Sequence, residues 1–171
     1  TTSGESGFGM YSFNNSGTST ITNSGTLTTS GSASYAIFSD TNSGASTVTN
    51  SGTLTTSGQA SYAIFSQSNT GTSTVTNSGT ITTSGESGFG MYSFNNSGTE
   101  TITNTSNDTI STSGSSAHGI YVFSNTGTTT ITNSGTIKVT GSGAVGIKVN
   151  GGVTLNNSGT ISATGSGTKA I

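Results

Sequence analysis

Cysteine, proline, tryptophan and arginine are all absent from this 171-residue chain. Without cysteine there is no disulfide framework and no thiolate metal site. Without proline it does not read as a mucin-like stalk or a flexible linker. Charge is almost as scarce: five acids, one histidine and three lysines (Lys138, Lys148 and Lys169) leave a net charge of −2. Counterion-release binding to nucleic acid or an anionic membrane needs a basic stripe, and none is present. Neither a signal peptide nor an apolar run of membrane-spanning length is found. With 26% apolar residues and 27 glycines, the composition alone would suit a disordered tract.

The placement of the aliphatic residues contradicts disorder. A 27-residue unit repeats throughout, as 1–27, 28–54, 55–81, 82–110 (two residues longer), 111–137, 138–161 (three shorter) and a partial copy, 162–171. Residues 1–18 are identical to residues 82–99. Of 24 Ile, Leu, Val and Met residues, 19 occupy three slots of the repeat. The first slot runs from Met10 and Ile37 to Ile147 and Ile171, the second from Ile21 to Leu155, and the third from Leu27 to Ile161. A fixed period of this length means that each unit is one rung of a stack and cannot bury its apolar face alone.

Each unit has three glycine corners, such as Gly44, Gly52 and Gly58, with short Thr- and Val-rich stretches between them. Alternation of Thr with Val or Leu is the period-2 pattern of strands with the aliphatic inward. Three strands and three corners per unit predict an all-β, single-domain parallel β-helix of about six triangular coils, spaced about 4.8 Å apart. Two columns of asparagine mark the corners: Asn23, Asn50, Asn77, Asn104, Asn133 and Asn157; and Asn15, Asn42, Asn69, Asn96 and Asn125. In register they can bond amide to amide and cap the bent backbone. The glycine two residues on is expected to supply a positive φ.

The aromatic residues also keep register. Tyr11, Phe38, Phe65, Tyr92 and Tyr121 share a slot next to the inward aliphatic, so they are expected on the outside as an exposed stripe. Phe13, Phe94 and Phe123 share another, with Asp40 and Gln67 in the intervening copies. Together these eight residues are the candidate binding strip, for sugar rings or another protein. Stacking that merely stabilises the rod is the alternative. Phe8, Tyr35, Tyr62, Phe89 and His118 have core parity and are expected to be partly buried.

Catalysis is not indicated. Paired carboxylates for glycoside hydrolysis stand about 5–10 Å apart, whereas Glu5 and Glu86 share a slot three coils apart, roughly 14 Å at strand spacing. His118 stands where other copies hold Phe or Tyr, which favours a packing role. Residues 141–146 match GxGxxG, yet no helix pattern follows and no acid lies at the required distance. No Asp-rich loop for calcium recurs. No cofactor and no metal are expected. Five N-x-S/T sequons begin at Asn14, Asn95, Asn104, Asn107 and Asn156.

The runs at 143–149 (GAVGIKV), 153–161 (VTLNNSGTI) and 165–171 (GSGTKAI) resemble the degenerate repeats of bacterial autotransporter passenger domains. That resemblance implies a right-handed parallel β-helix, export through an outer-membrane barrel, and display at the cell surface as an adhesin or aggregation factor. The partner would be a host or bacterial surface protein or glycan, or another copy of the chain. The sequence is then expected to be a piece of a longer secreted protein. A spacer or filament-forming subunit is the alternative. A third possibility is ice binding through the outward pairs Thr20/Thr22, Thr47/Thr49, Thr74/Thr76, Thr101/Thr103 and Thr130/Thr132, which resemble the flat faces of insect antifreeze solenoids.

Overall fold

The computed structural model describes all 171 residues and contains eighteen strands in three six-stranded parallel sheets. The first sheet stacks Phe8–Phe13, Tyr35–Asp40, Ile64–Gln67, Met91–Phe94, Ile120–Phe123 and Ile147–Asn150. The second stacks Ser19–Asn23, Ser46–Asn50, Ser73–Asn77, Glu100–Asn104, Thr129–Asn133 and Val153–Asn157. The third stacks Thr26–Thr29, Thr53–Thr56, Thr80–Thr83, Thr109–Thr112, Thr136–Val139 and Thr160–Ala163. The chain visits the three sheets in turn, so each unit is one coil of a triangular β-solenoid.

Register follows the repeat: Ile21 lies over Val48 and Val48 over Val75, and Leu54 over Ile81. The length changes are absorbed at corners. Residues 105–108 replace a two-residue corner such as Ser51-Gly52, with Asn107 in the left-handed region and the Thr105 hydroxyl donating to the Asp108 carboxylate. Gly151-Gly152 replaces a five-residue corner, and Ile131 still lies over Leu155. Strand pairing therefore survives both insertion and deletion. The three aliphatic slots meet on the axis as one 19-residue core that includes Ile37, Leu54, Ile81, Ile110 and Ile137.

The corner glycines work differently from the sequence-based expectation. Gly44, Gly52 and Gly58 do not have positive φ; Gly143, Gly151 and Gly167 are the only glycines that do. The left-handed positions are Ser6, Ala33, Ala60, Ser87 and Ser116 at one corner and Asn14, Thr41, Ser68, Asn95 and Ser124 at another. Inter-coil bonds hold them there: Ala33 N–H donates to Gln59 O (2.9 Å) and Thr41 N–H to Gln67 O (3.0 Å). Glycine is needed at the corners for clearance. A Cβ on Gly52 would lie 2.0 Å from Gly25 O, and one on Gly58 would lie 1.9 Å from Gly31 O.

Candidate functional site

On the outside of the first sheet the rings form two columns. Phe38, Phe65 and Tyr92 stack with centroids 4.9 Å apart and planes within 6°. Tyr35, Tyr62 and Phe89 stack beside them at the same spacing, within 3°. The columns meet edge to face, Tyr35 on Phe38 at 72° and Tyr62 on Phe65 at 77°. Offset stacking and edge contact are the two arrangements that the ring quadrupole favours.

Two expectations are corrected here. The column of Phe8, Tyr35, Tyr62, Phe89 and His118 is at least partly buried, as expected, but by packing against the outer rings rather than by facing the core. In two coils the intervening residue shows why: Ala36 and Ala63 are buried in the core beside Ile37 and Ile64, so two successive side chains turn inward and the alternation slips, while Gly9, Gly90 and Gly119 hold that slot in the other coils. Phe38 and Phe65, expected to be exposed, are only 7% and 5% accessible, because the neighbouring column covers their edges. Accessible ring surface lies elsewhere in the strip, at Tyr11 (47%) and Phe13 (54%), with Tyr92, Tyr121, Phe94 and Phe123 half-buried.

The tyrosines on this face stay un-ionised. Burial, then Tyr121 and Tyr35, push Tyr92 up to about 12, and burial alone raises Tyr35. The stack ends at the sixth coil, where Lys148 Nζ lies 4.8 Å from the Tyr121 ring centre. His118 Nδ1 lies 3.1 Å from the Val145 N–H donor and Nε2 lies 3.2 Å from the Lys148 ammonium; a neutral ring has one acceptor nitrogen, so it accepts from only one of the two. Burial, and then the Lys148 charge, lower the His118 pKa to about 4. His118 is thus a packing residue in the aromatic column, held neutral.

The first asparagine column bonds amide to amide along its whole length, and the second does so only in part. Nδ2 of Asn23 donates to Asn50 (2.8 Å), Asn50 to Asn77 (2.8 Å), Asn77 to Asn104 (2.9 Å), Asn104 to Asn133 (2.9 Å) and Asn133 to Asn157 (2.8 Å). Most also cap the carbonyl of the glycine two residues on, as Asn77 does with Gly79 at 3.0 Å. In the second column Asn15 donates to Asn42 and Asn42 to Asn69 (2.9 and 3.0 Å). Above Asn69 the amide-to-amide bonds stop. Asn96 turns its Nδ2 to Ser93 and to Glu100, and Asn125 donates to Ser93, Glu100 and Thr129.

Glu100 draws the Asn96 and Asn125 amides, and sequence reasoning missed it. Its slot holds Ser19, Ser46, Ser73 and Thr129 in other coils, where Ser39 and Ser46 share an inward hydrogen bond (2.8 Å). Glu100 is 1% accessible and accepts from Ser73 (3.4 Å), Ser93, Asn96 (3.2 Å) and Asn125 (2.9 Å). Burial raises its pKa, against those hydrogen bonds, which lower it. The available signal was the point of divergence: identity between the first and fourth units ends where Ser19 is replaced by Glu100.

The remaining candidates fall apart spatially. No group of three His, Asp or Glu side chains gathers to hold a metal ion, and no cavity is enclosed. Residues 141–146 form a corner between strands, with no helix after it. The outward Thr pairs of the second sheet lie in register, Thr47 over Thr74 and Thr49 over Thr76, as a face free of rings and charge. Of the sequons, Asn14, Asn95, Asn107 and Asn156 are exposed, while Asn104 is buried in its ladder. No family model matches the chain, and no curated protein or solved structure matches it either.

Proposed function

We propose that the chain is a non-enzymatic β-solenoid segment of an extracellular, surface-displayed bacterial adhesin, contacting its partner through the outer face of the first sheet. The observation that carries this reading is the segregation of rings. One face of the triangle bears every Phe and Tyr of the chain, and its interior coils keep half-exposed rings at Tyr92, Phe94, Tyr121 and Phe123, whereas the second sheet presents threonine. Accessible apolar surface gathered on one side of a soluble rod marks an interaction surface. The autotransporter-like repeats support display at a cell surface.

The test uses Phe13, Phe94 and Phe123, which share one slot of the repeat, because truncating Phe38 or Phe65 would open buried packing. Cells displaying the chain should aggregate, or adhere to a bacterial or host surface. The triple variant Phe13→Ser, Phe94→Ser, Phe123→Ser should lose most of that adhesion while its thermal midpoint stays close to the parent's. Adhesion undiminished in a folded triple variant contradicts the role given to this face.

A further inference from the structure

Where the second asparagine column breaks, the groups around Glu100 are arranged for chemistry as well as packing. Ser93, Asn96 and Glu100 are each at most 1% accessible, and Asn125 is half-buried beside them. Glu100 Oε2 accepts from the Ser93 hydroxyl and, at 2.9 Å, from Asn125 Nδ2. The same Nδ2 lies 2.7 Å from Ser93 Oγ, which puts the Asn125 carbonyl carbon one bond beyond a contact with the hydroxyl. Asn125 Oδ1 accepts the Asn96 backbone N–H at 2.9 Å.

These are the parts of an acyl transfer. A hydroxyl bonded to a carboxylate is an activated nucleophile. A backbone N–H already on the amide oxygen is placed to hold the negative charge that grows there. Burial raises the Glu100 pKa, so its carboxylate is a stronger proton acceptor than an exposed one. Contact between the reacting groups replaces a bimolecular encounter, and burial keeps water from competing.

One coil earlier the same arrangement recurs without the acid. Asn96 Nδ2 lies 3.2 Å from Ser66 Oγ, and Asn96 Oδ1 accepts the Asn69 N–H at 2.7 Å. Ser73 stands there in the place of Glu100, so no carboxylate takes the hydroxyl proton. Two neighbours of the acid are less well placed. Asn96 lies farther from both groups, 2.9 Å from Ser93 Oγ and 3.2 Å from Glu100 Oε1. Thr129 Oγ1 is 3.2 Å from Asn125 Nδ2, with no carboxylate hydrogen-bonded to it.

We propose that Ser93 and Asn125 form an intramolecular ester that joins the fourth coil to the fifth. Ser93 Oγ attacks Asn125 Cγ, Glu100 takes the hydroxyl proton, and the Asn96 N–H holds the tetrahedral oxygen. The Cγ–Nδ2 bond then breaks, Glu100 passes the proton to the departing nitrogen, and ammonia leaves. An ester C–O bond has replaced the amide C–N bond, Glu100 ends as it began, and no other reactant is consumed. Ammonia is protonated and diluted in bulk water, which draws the exchange forward. A carboxamide is a poor acyl donor, so the freshly folded chain keeps the hydrogen-bonded arrangement and the ester accumulates on standing.

Intact-mass measurement of the full chain, fresh and after a week at neutral pH, tests this. The fresh chain should have the mass of its sequence, and most of the aged chain should have lost one ammonia. Peptide mapping should find Ser93 joined to Asn125, and alkaline hydroxylamine should part the two peptides. Glu100→Gln, similar in size but unable to take the proton, should abolish the loss, as should Ser93→Ala. Ser73→Glu with Glu100→Ser moves the acid one coil and should transfer the ester to Ser66 and Asn96, a gain that misfolding cannot imitate. An aged parent of unchanged mass overturns the proposal, as does equal ammonia loss in Glu100→Gln. Ammonia loss mapped to one asparagine with no joined hydroxyl is succinimide formation and overturns it too. A join through Thr129 or Asn96 contradicts the roles given to Ser93 and Asn125.

Discussion

Gly85→Ala is expected to destabilise the solenoid by about 3 kcal/mol or more, at the upper end of overpacking costs. The added methyl would lie 1.8 Å from Gly58 O and 2.5 Å from Gly58 C. Both are backbone atoms of the coil below, so no side-chain rotation relieves the clash and the two coils must separate locally. The backbone bonds there would stretch too, including Ser84 N–H to Thr56 O (3.0 Å). Gly4→Ala is the internal control, because Gly4 holds the same slot in the first coil and nothing lies within 4 Å of its would-be Cβ, and its effect should stay within roughly 0.5 kcal/mol. Chemical denaturation of both variants measures the difference. If the glycines served backbone conformation rather than clearance, the two substitutions would cost the same.

Glu100→Ser is expected to stabilise the fold at pH 8 by roughly 1–3 kcal/mol, the cost scale of burying a poorly compensated polar group. It should also remove a pH dependence. Burial raises the Glu100 pKa in the folded state. Its share of stability is therefore present in full below the ordinary carboxylate range and is lost as pH rises through the raised value. His118 acts in the opposite sense: with its pKa lowered from 6.5 to about 4, it costs stability as pH falls through that window. A His118→Phe background, matching Phe89 one coil earlier, isolates the acid. In that background stability should rise from pH 8 to pH 5, and adding Glu100→Ser should flatten the slope. Serine restores the arrangement of the first coil, where Ser12 and Ser19 bond directly. A slope surviving Glu100→Ser would place the titrating group elsewhere.

Much of this architecture was legible because the repeat averages over six noisy copies. Ile21, Val48 and Val75 name a strand no better singly than any Thr-Val-Thr run, but their recurrence fixes which side faces the axis. Asn50 and Asn77 were readable for the same reason, as columns only stacking can explain. Local rules failed where the third dimension intervened. Parity gives Tyr35 the right partial burial for the wrong reason, because one buried alanine, Ala36, shifts the alternation. Alternation leaves Phe38 exposed, and only the neighbouring ring column, which no single strand's pattern reveals, covers it. A corner glycine such as Gly52 reads as a conformational device, yet what constrains it is a carbonyl 27 residues earlier in sequence.

The central claim is that like positions of successive units lie directly over one another. The absence of native cysteine permits a direct measurement by paired cysteine substitution. Thr47 and Thr74 are register partners on the outer face of the second sheet, at a parallel-strand spacing of about 4.8 Å, inside the range a disulfide spans. Thr47 and Thr76 are offset by two residues, about 8 Å apart at strand dimensions, outside that range. Under mild oxidation Thr47→Cys with Thr74→Cys should crosslink rapidly and nearly completely, and Thr47→Cys with Thr76→Cys should lag far behind. Equal rates for the two pairs, or a faster offset pair, would contradict the stacked register.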